Sequence, residues 1–179
     1  LEADLLINCC GLANFGPALS LSEADENALW QVNYQAPIRL MRQIVERNRK
    51  IRLVQLSSLA ALCPHPYLAA YSASKAALQT YCLALQEELR LKGSEVTVCL
   101  YILGPVRTTI FPPELQDSLG GAKLQMSPEI AARRIIRLLQ QGSSYAIVGK
   151  RYRLLAWLMK LLPQRWIIRL IGTYLRKGL

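Results

Sequence analysis

Short runs of apolar residues alternate with longer segments of helical periodicity along most of the chain. The short runs have the length and continuity of buried strands, and they cover residues 5–7, 51–56, 96–102 and 145–148. The helices predicted between them cover residues 23–48, 69–91 and 127–141. This alternation predicts an α/β fold with three layers, in which a parallel sheet carries helices on both faces.

Local signals place the ends of these helices. Ser22 begins a capping-box-like sequence, so the first helix is expected to start directly after it. Pro37 lies inside that helix and predicts a bend, because proline has no N–H to donate to the preceding turn. Ser127-Pro128-Glu129 places proline at a favoured first helical position. Prolines and glycines predict loops at 59–68 and 103–127.

The segment 150–179, called the tail below, differs from the rest in composition. It carries eight Lys and Arg residues and no acidic residue, so it holds most of the formal net charge of +10. Two strongly apolar helical stretches are predicted on either side of Pro163. Trp and Tyr beside cations suit a membrane interface, and two such helices could lie flat on anionic lipid. Alternatively, the tail covers a substrate cleft or packs against a second subunit.

Composition restricts the class of protein further. The length of 179 residues suffices for one well-cored domain, and a hydrophobic content of 52% argues against disorder. Five cysteines without paired spacing are expected to be reduced thiols, which predicts a cytoplasmic protein. His65 is the only histidine, so no metal site is expected. No nucleic-acid partner is expected, because the tail is too apolar and the sequence contains no recognised nucleic-acid-binding motif.

The most informative chemical pattern lies at the start of the helix predicted over 69–91. Tyr71 and Lys75 are four residues apart, which places them on one face of the helix, one turn apart. An ammonium at that distance is expected to lower the pKa of the phenol, so that tyrosine can pass a proton near neutral pH. Ser58 ends the preceding strand and can hold the oxygen that receives the proton. Taken alone, Tyr71 and Lys75 are also compatible with an ordinary pair on a helix surface.

Further short motifs accompany this pair in a fixed order along the chain. They are Asn8-Cys9-Cys10-Gly11, Val32-Asn33, Ser57-Ser58, and Gly104-Pro105-Val106-Arg107-Thr108. From Asp4 to Gly149 the chain therefore resembles the short-chain dehydrogenase/reductase family. The resemblance implies a Rossmann-like sheet and an enzyme that interconverts a carbonyl and an alcohol with NADP or NAD, NADPH being slightly favoured.

The resemblance also implies roles for particular residues. Tyr71 would be the general acid in reduction, and Ser58 would hydrogen-bond the substrate oxygen. Lys75 would lower the pKa of Tyr71 and bind the nicotinamide ribose, and Asn33 would hold a water that links Lys75 to solvent. The residues expected to contact the cofactor are Asn8, Gly11, Tyr71, Lys75, Gly104, Val106 and Thr108.

The phosphate-binding glycine turn of the family is the main departure. The sequence contains no Gly-x-x-x-Gly-x-Gly, and it starts at what resembles the fourth strand of the family. The N-terminal strands of the Rossmann-like sheet are therefore expected to be missing. We expect the sequence to be an N-terminally incomplete piece of a longer enzyme, the alternative being a shortened form that needs a partner or binds cofactor poorly.

These patterns together predict two regions with different tasks. Residues 1–149 are expected to be the C-terminal portion of the catalytic domain, and 150–179 a basic amphipathic helical tail. The predicted function is an NAD(P)-dependent oxidoreductase for a hydrophobic or lipid-like carbonyl or alcohol. A homo-oligomer and peripheral membrane contact through the tail are predicted with it. The alternative is a non-catalytic relative that serves as a membrane-associated or protein-interaction module.

Overall fold

A computed structural model describes residues 3–47, 50–111 and 125–176 of the protein. Short 3₁₀ turns lie at Ala18–Ser20 and Leu59–Ala61. In chain order the main elements are β1 (Leu5–Asn8), α1 (Glu23–Trp30), α2 (Ala36–Glu46), β2 (Ile51–Ser58), α3 (Ala69–Leu91), β3 (Val96–Leu103), α4 (Pro128–Gln140), β4 (Tyr145–Val148), α5 (Lys150–Leu161) and α6 (Gln164–Leu175).

The described strands form one parallel sheet in the order β1-β2-β3-β4. Each connection between neighbouring strands contains a helix, as parallel pairing requires. One face of β2 and β3 packs against α2 and α3, with Leu53 and Leu78 buried between them. The opposite face packs against α4 and α5, with Tyr101 and Tyr152 in the contact. The predicted three-layer α/β fold is therefore confirmed.

Most element boundaries agree with the sequence predictions within one or two residues. β2 continues to Ser58, so the candidate serine is the last residue of the strand. Ser127 caps α4, because its hydroxyl accepts a hydrogen bond from the N–H of Ile130. Within the loop predicted over 103–127, Val106 forms a parallel bridge with Met126, and residues 112–124 lie outside the described residues.

The helix predicted over 23–48 contains a distortion that holds a candidate site residue. Gln31–Gln35 form a π-helical turn between α1 and α2. Pro37 explains its place, because proline has no N–H for the carbonyl four residues earlier, that of Asn33, and its ring crowds that carbonyl. The predicted irregularity is thus present, although it begins before the proline. The predicted end at residue 48 lies outside the described residues.

The tail forms the two predicted helices and packs on the rest of the protein. Tyr152 of α5 lies against Gly104, where a Cβ would come within 2.5 Å of the tyrosine ring. Gly172 of α6 lies against Pro66, where a Cβ would lie 3.1 Å from the proline Cγ. Both glycines therefore allow close approach of the tail. Among the described helices, none has the length and apolar character needed to cross a membrane.

Candidate active site

The carboxyl end of β2 and the first turns of α3 bring three predicted residues together. Ser58 ends β2, and Tyr71 and Lys75 lie in the first two turns of α3. Tyr71 is 7% exposed and Lys75 is 5% exposed. The Ser57 hydroxyl donates a hydrogen bond of 3.3 Å to the Lys75 carbonyl oxygen, which ties the strand end to the helix. The site lies beyond the carboxyl ends of the strands, where open α/β sheets bind their ligands.

Tyr71 is held in an apolar environment. The ring of Phe111 meets it edge to face, with centroids 5.8 Å apart. Burial raises the pKa of Tyr71 above its ordinary value, and the Ser58 hydroxyl opposes part of that shift. The predicted lowering of the Tyr71 pKa by Lys75 is therefore wrong for this structure. Burial has the larger effect because it removes the water that would stabilise a phenolate.

The Lys75 ammonium is held by a backbone carbonyl of β2. Its Nζ donates a hydrogen bond of 3.2 Å to the Leu56 carbonyl oxygen, and it lies 6.0 Å from the centroid of the Tyr71 ring. Burial lowers the pKa of Lys75 to about 8, while the neighbouring Cys10 opposes the shift. The helix spacing places the two residues on one face, as predicted, and the ammonium is bonded to the Leu56 carbonyl near the end of β2.

Asn33 is fully buried and connects three segments. Its Oδ1 accepts a hydrogen bond of 2.8 Å from the Leu12 N–H. Its Nδ2 donates to the Leu12 carbonyl oxygen at 2.8 Å and to Ser74 Oγ at 3.0 Å. Ser74 Oγ in turn donates to the Tyr71 carbonyl oxygen at 2.8 Å. Asn33 thus fixes the segment after β1 relative to α3, while its predicted link through water to Lys75 stays a prediction.

The predicted cofactor contacts fall into two groups. Gly104, Val106 and Thr108 line one large cavity together with Gly11, Tyr71 and Lys75. Asn8 lies outside the residues that line this cavity. Its Nδ2 donates to Gln55 Oε1 at 2.8 Å, and its Oδ1 accepts from the Cys10 N–H at 3.1 Å. Asn8 therefore shapes the turn after β1, and its contact with a cofactor stays a prediction.

Gly11 leaves room beside the polar groups of the site. A Cβ at this position would lie 3.5 Å from Lys75 Nζ and 3.6 Å from Asn33 Oδ1. Any side chain larger than methyl would therefore extend toward the lysine and the cavity. The absence of a side chain keeps a surface of backbone open next to Lys75, as close approach by a ligand requires.

The cavity has a volume of about 850 Å³ and two contrasting walls. Ser58, Tyr71 and Lys75 belong to the polar wall, called the catalytic wall below. The other wall, called the tail wall, is formed by apolar side chains of α5, α6 and the residues between them: Leu155, Leu158, Met159, Leu162, Trp166, Ile167, Leu170 and Ile171. Of the three roles considered for the tail, cleft covering is thus the one that the structure displays directly.

The cavity also contains residues that were not assigned a role from the sequence. Phe111 contacts Tyr71, and His65 lines the cavity from the loop before α3. His65 Nδ1 lies 2.7 Å from the Cys63 carbonyl oxygen and must donate to it, since a carbonyl only accepts. Burial lowers the pKa of His65, which favours the neutral ring. The sequence predicted only that both residues lie in the loops 59–68 and 103–127.

Comparison with known proteins identifies the family. The family model described as short chain dehydrogenase matches residues 2–118. The chain therefore belongs to the short-chain dehydrogenase family, and the prediction of an oxidoreductase family is confirmed. A probable short-chain type dehydrogenase/reductase, VdlC, from Helicobacter pylori is 28% identical over 188 residues, covering 92% of this chain and 69% of that protein.

Another relative is more similar over a shorter stretch. The NADPH-dependent 1-acyldihydroxyacetone phosphate reductase of Schizosaccharomyces pombe is 35% identical over 107 residues. That match covers 59% of this chain and 36% of the yeast protein. The chain thus spans between about a third and about two thirds of the length of these two relatives.

Solved structures share the fold. A short chain dehydrogenase from Burkholderia cenocepacia in complex with NADP matches with a TM-score of 0.74 at 23% identity, covering 94% of this chain and 68% of that one. A short chain dehydrogenase/reductase from Burkholderia phymatum in complex with NAD matches with a TM-score of 0.72 at 20% identity, covering 87% and 64%. At these identities the likeness concerns the fold alone.

Proposed function

We propose that this chain carries the proton-transfer site of an NAD(P)-dependent oxidoreductase that interconverts a carbonyl and an alcohol on a hydrophobic substrate. The observation that carries the proposal is the convergence of Ser58, Tyr71 and Lys75 on one cavity at the carboxyl end of β2. The family includes proteins named as dehydrogenases and reductases, which supports this class of reaction.

The residues of the catalytic wall divide the proton chemistry among them. In the reductive direction, the Tyr71 hydroxyl donates a proton to the substrate oxygen, and the Ser58 hydroxyl donates a hydrogen bond to the same oxygen. Burial raises the pKa of Tyr71, so its hydroxyl is protonated and ready to donate at neutral pH. With its pKa lowered to about 8, Lys75 is still mostly protonated at pH 7 and places one positive charge beside the cavity.

The cavity fits the nicotinamide end of a dinucleotide cofactor. When bound, such a cofactor supplies or accepts the hydride at its nicotinamide ring. Gly11 leaves the space that a Cβ would fill next to Lys75 Nζ, and the Lys75 ammonium can donate to ribose hydroxyls. Val106 and Thr108 line the same cavity and can contact the carboxamide. The glycine-rich turn that would hold the pyrophosphate does not occur in the 179 residues.

The proposal includes a preferred cofactor and an oligomeric state. We favour NADPH slightly over NADH, and the S. pombe relative named as NADPH-dependent supports this preference. That the protein forms a homo-oligomer also stays a prediction. The same holds for the division of tasks between residues 1–149 and the tail, and for a cytoplasmic location.

The tail wall supports a hydrophobic substrate. Its side chains are leucines, isoleucines, methionine and tryptophan, and these provide apolar contact area but few hydrogen bonds. A substrate with a hydrocarbon portion would gain free energy there in proportion to the apolar area that it removes from water. The reacting carbonyl would lie at the catalytic wall and the hydrocarbon portion along α5 and α6.

A titration combined with a substrate series tests the proposal. Saturable enhancement of NADPH or NADH fluorescence on addition of the protein is expected, followed by reduction of long-chain aldehydes or ketones in preference to short ones. The variant Tyr71→Phe should lower turnover by roughly 10²–10⁴-fold and should still bind the cofactor. Undiminished turnover in that variant would exclude the proposed proton donor, and a folded protein without cofactor binding would favour a non-catalytic module.

A further inference from the structure

We infer that the tail binds in the plane of an anionic lipid surface, and that the mouth of the cavity faces that surface. Exposed side chains of α5 and α6 support this, and several of them lie outside the cavity that the proposed reaction uses. Apolar side chains are exposed there in continuous stripes, cations border the stripes, and five of the exposed side chains also line the cavity. Docking is independent of the reaction, whereas entry of the substrate from the lipid rests on the proposed function.

α5 exposes a stripe that neither the core nor the cavity accounts for. Leu154, Trp157 and Leu161 lie at helical spacing on one face, and they are 58%, 56% and 61% exposed. Tyr152 and Ala156, at 4% and 2% exposure, anchor the opposite face in the core. The stripe is therefore held outward by a helix whose other side is fixed, and its orientation follows from the packing of the core.

α6 carries a second exposed apolar stripe, and two of its residues, Trp166 and Leu170, also line the cavity. Trp166, Leu170 and Tyr174 are four residues apart, and they are 66%, 74% and 43% exposed. On the same helix, Leu175 is 1% exposed and lies on the side away from Trp166, and Ile167 is buried beside the stripe at 7% exposure. Tryptophan and tyrosine are the side chains most enriched at membrane–water interfaces, since each has an apolar ring and a polar atom. Both helices thus offer an apolar stripe that contains interfacial aromatic residues.

The charges of the tail identify the occupant as an anionic surface. On α6, Arg165, Arg169 and Arg176 project beside the apolar stripe, because they lie about one hundred degrees from it around the helix. On α5, Arg153 and Lys160 border the stripe in the same way. Since the tail contains no acidic residue, no charge within it neutralises these cations. Apolar stripes flanked by cations are the pattern of helices that lie flat on anionic lipid.

The mouth of the cavity coincides with this face. Five tail residues line the cavity and are also at least 42% exposed: Leu155, Leu158, Leu162, Trp166 and Leu170. They form an apolar rim that includes Trp166 and Leu170 of the α6 stripe and lies beside the α5 stripe. A membrane that covers the stripes would therefore cover the rim as well, and a hydrocarbon substrate would pass from lipid to the cavity without crossing water.

Vesicle co-sedimentation of the 179-residue protein tests the docking. Strong binding is expected to phosphatidylcholine vesicles that contain phosphatidylserine, and weak binding to phosphatidylcholine alone. The variant Arg165→Gln/Arg169→Gln should lose about fivefold in binding for each charge removed. Its matched control is Arg133→Gln/Arg137→Gln, which removes two exposed cations with the same spacing from α4 and should lose far less.

The contribution of apolar side chains to vesicle binding is tested at residues outside the cavity lining. The variant Leu154→Gln/Trp157→Gln/Leu161→Gln should reduce binding at least tenfold, whereas Leu91→Gln, at a 70% exposed leucine of α3, should leave it unchanged. Brominated lipid should quench the fluorescence of Trp157 and Trp166 more than that of Trp30. Equal losses in variants and controls, or a folded protein that does not bind phosphatidylserine vesicles, would overturn the inference. A change of oligomeric state in the α5 variant without loss of vesicle binding would overturn it in favour of a protein interface.

Discussion

The two walls of the cavity are built in opposite ways. The catalytic wall consists of side chains that are nearly removed from solvent, with Tyr71 7% and Lys75 5% exposed. Its polar atoms are held by hydrogen bonds to the backbone of β2 and α3. The tail wall consists of apolar side chains such as Leu158 and Trp166, which are 42% and 66% exposed. Hydrogen bonds fix the side chains of the catalytic wall in position. The tail wall offers apolar contact area, which does not impose one orientation on a ligand.

This difference indicates how the two walls divide their tasks. A proton donor must be placed within hydrogen-bonding distance of the reacting oxygen, so its position has to be fixed by its surroundings. An apolar surface stabilises any hydrocarbon in proportion to the area that it covers, so it tolerates variation in shape. Substitutions on the catalytic wall should therefore change catalysis or stability sharply. Substitutions on the tail wall should change apparent affinity gradually.

Tyr71→Phe is expected to have the largest effect, because it removes the proton donor and preserves the ring that contacts Phe111. Turnover should fall by roughly 10²–10⁴-fold, the usual contribution of a positioned general acid. Steady-state kinetics measures the loss, and urea unfolding checks that stability is unchanged. Tyr81→Phe, at another tyrosine of α3, is the matched control and should keep full activity. Equal losses in both variants would contradict a special role for the catalytic wall.

Asn33→Ala should have the next largest effect, and on stability more than on chemistry. The change leaves the backbone N–H and carbonyl of Leu12 without their partner and takes one partner from Ser74. Leaving such buried groups unsatisfied costs about 3 kcal/mol of unfolding free energy in total. Denaturant unfolding measures it, and Asn27→Ala, at an exposed position of α1, should cost almost nothing. A loss of turnover without any loss of stability would instead support the predicted water relay.

Lys75→Met is expected to raise the stability of the protein and to lower its activity. The pKa of Lys75 falls from 10.5 to about 8 on burial, so keeping its charge costs on the order of 3 kcal/mol, of which the bond to Leu56 returns about 1 kcal/mol. The free energy of unfolding of the variant should therefore be about 2 kcal/mol higher than that of the original protein at pH 7. Its turnover should be lost, because the charge beside the cavity is gone.

The stability gained by Lys75→Met should depend on pH. Because the folded pKa lies below the unfolded one, the unfolded chain holds the additional proton between about pH 8 and pH 10.5. The cost of the charge is fully present below pH 8 and disappears as the pH rises through that window. Urea unfolding of both proteins at pH 7 and pH 10 measures the difference. A variant that stays more stable by the same amount at pH 10 would contradict desolvation as the cause.

Leu158→Ala should have the smallest effect, since it removes part of an apolar surface. For a long-chain substrate, the KM should rise about fivefold, corresponding to about 1 kcal/mol of lost apolar contact, with kcat unchanged. A short-chain carbonyl should show no change. Leu154→Ala, on the same helix but outside the cavity lining, is the matched control. A fall in kcat for both substrates would show that the tail wall also positions the reacting group.

Much of the fold could be predicted because its signals are local. Continuous apolar runs marked the buried strands, and capping residues such as Ser127 marked helix starts within one residue. The order of short motifs also located Ser58, Tyr71 and Lys75 in one site before any distance was known. The turn at Gln31–Gln35 was predicted only as a bend at Pro37, because a proline indicates that a helix is disturbed but does not indicate how the backbone relieves the crowding.

The pKa of Tyr71 could not be obtained from spacing. A separation of four residues places Lys75 on the same helix face, but the Leu56 carbonyl that receives its ammonium comes from a distant strand. The extent of burial likewise depends on Phe111 and on elements far apart in the chain. Electrostatic shifts depend on the whole environment of a group, so a sequence pattern predicts the partners but not the balance among them.

The sequence by itself determined the α/β class, the family, and the residues available for proton transfer. Each of these can be recognised from patterns among residues that are close together in the sequence. Only the tertiary structure decided where the tail lies. Its apolar and basic pattern is equally compatible with a cleft cover, a subunit contact and a membrane surface, since amphipathicity specifies a face but not what the face meets. The contacts of Tyr152 with Gly104 and of Gly172 with Pro66 placed α5 and α6 along the cavity that Tyr71 also lines. Those contacts join residues distant in sequence, and only folding brings them together.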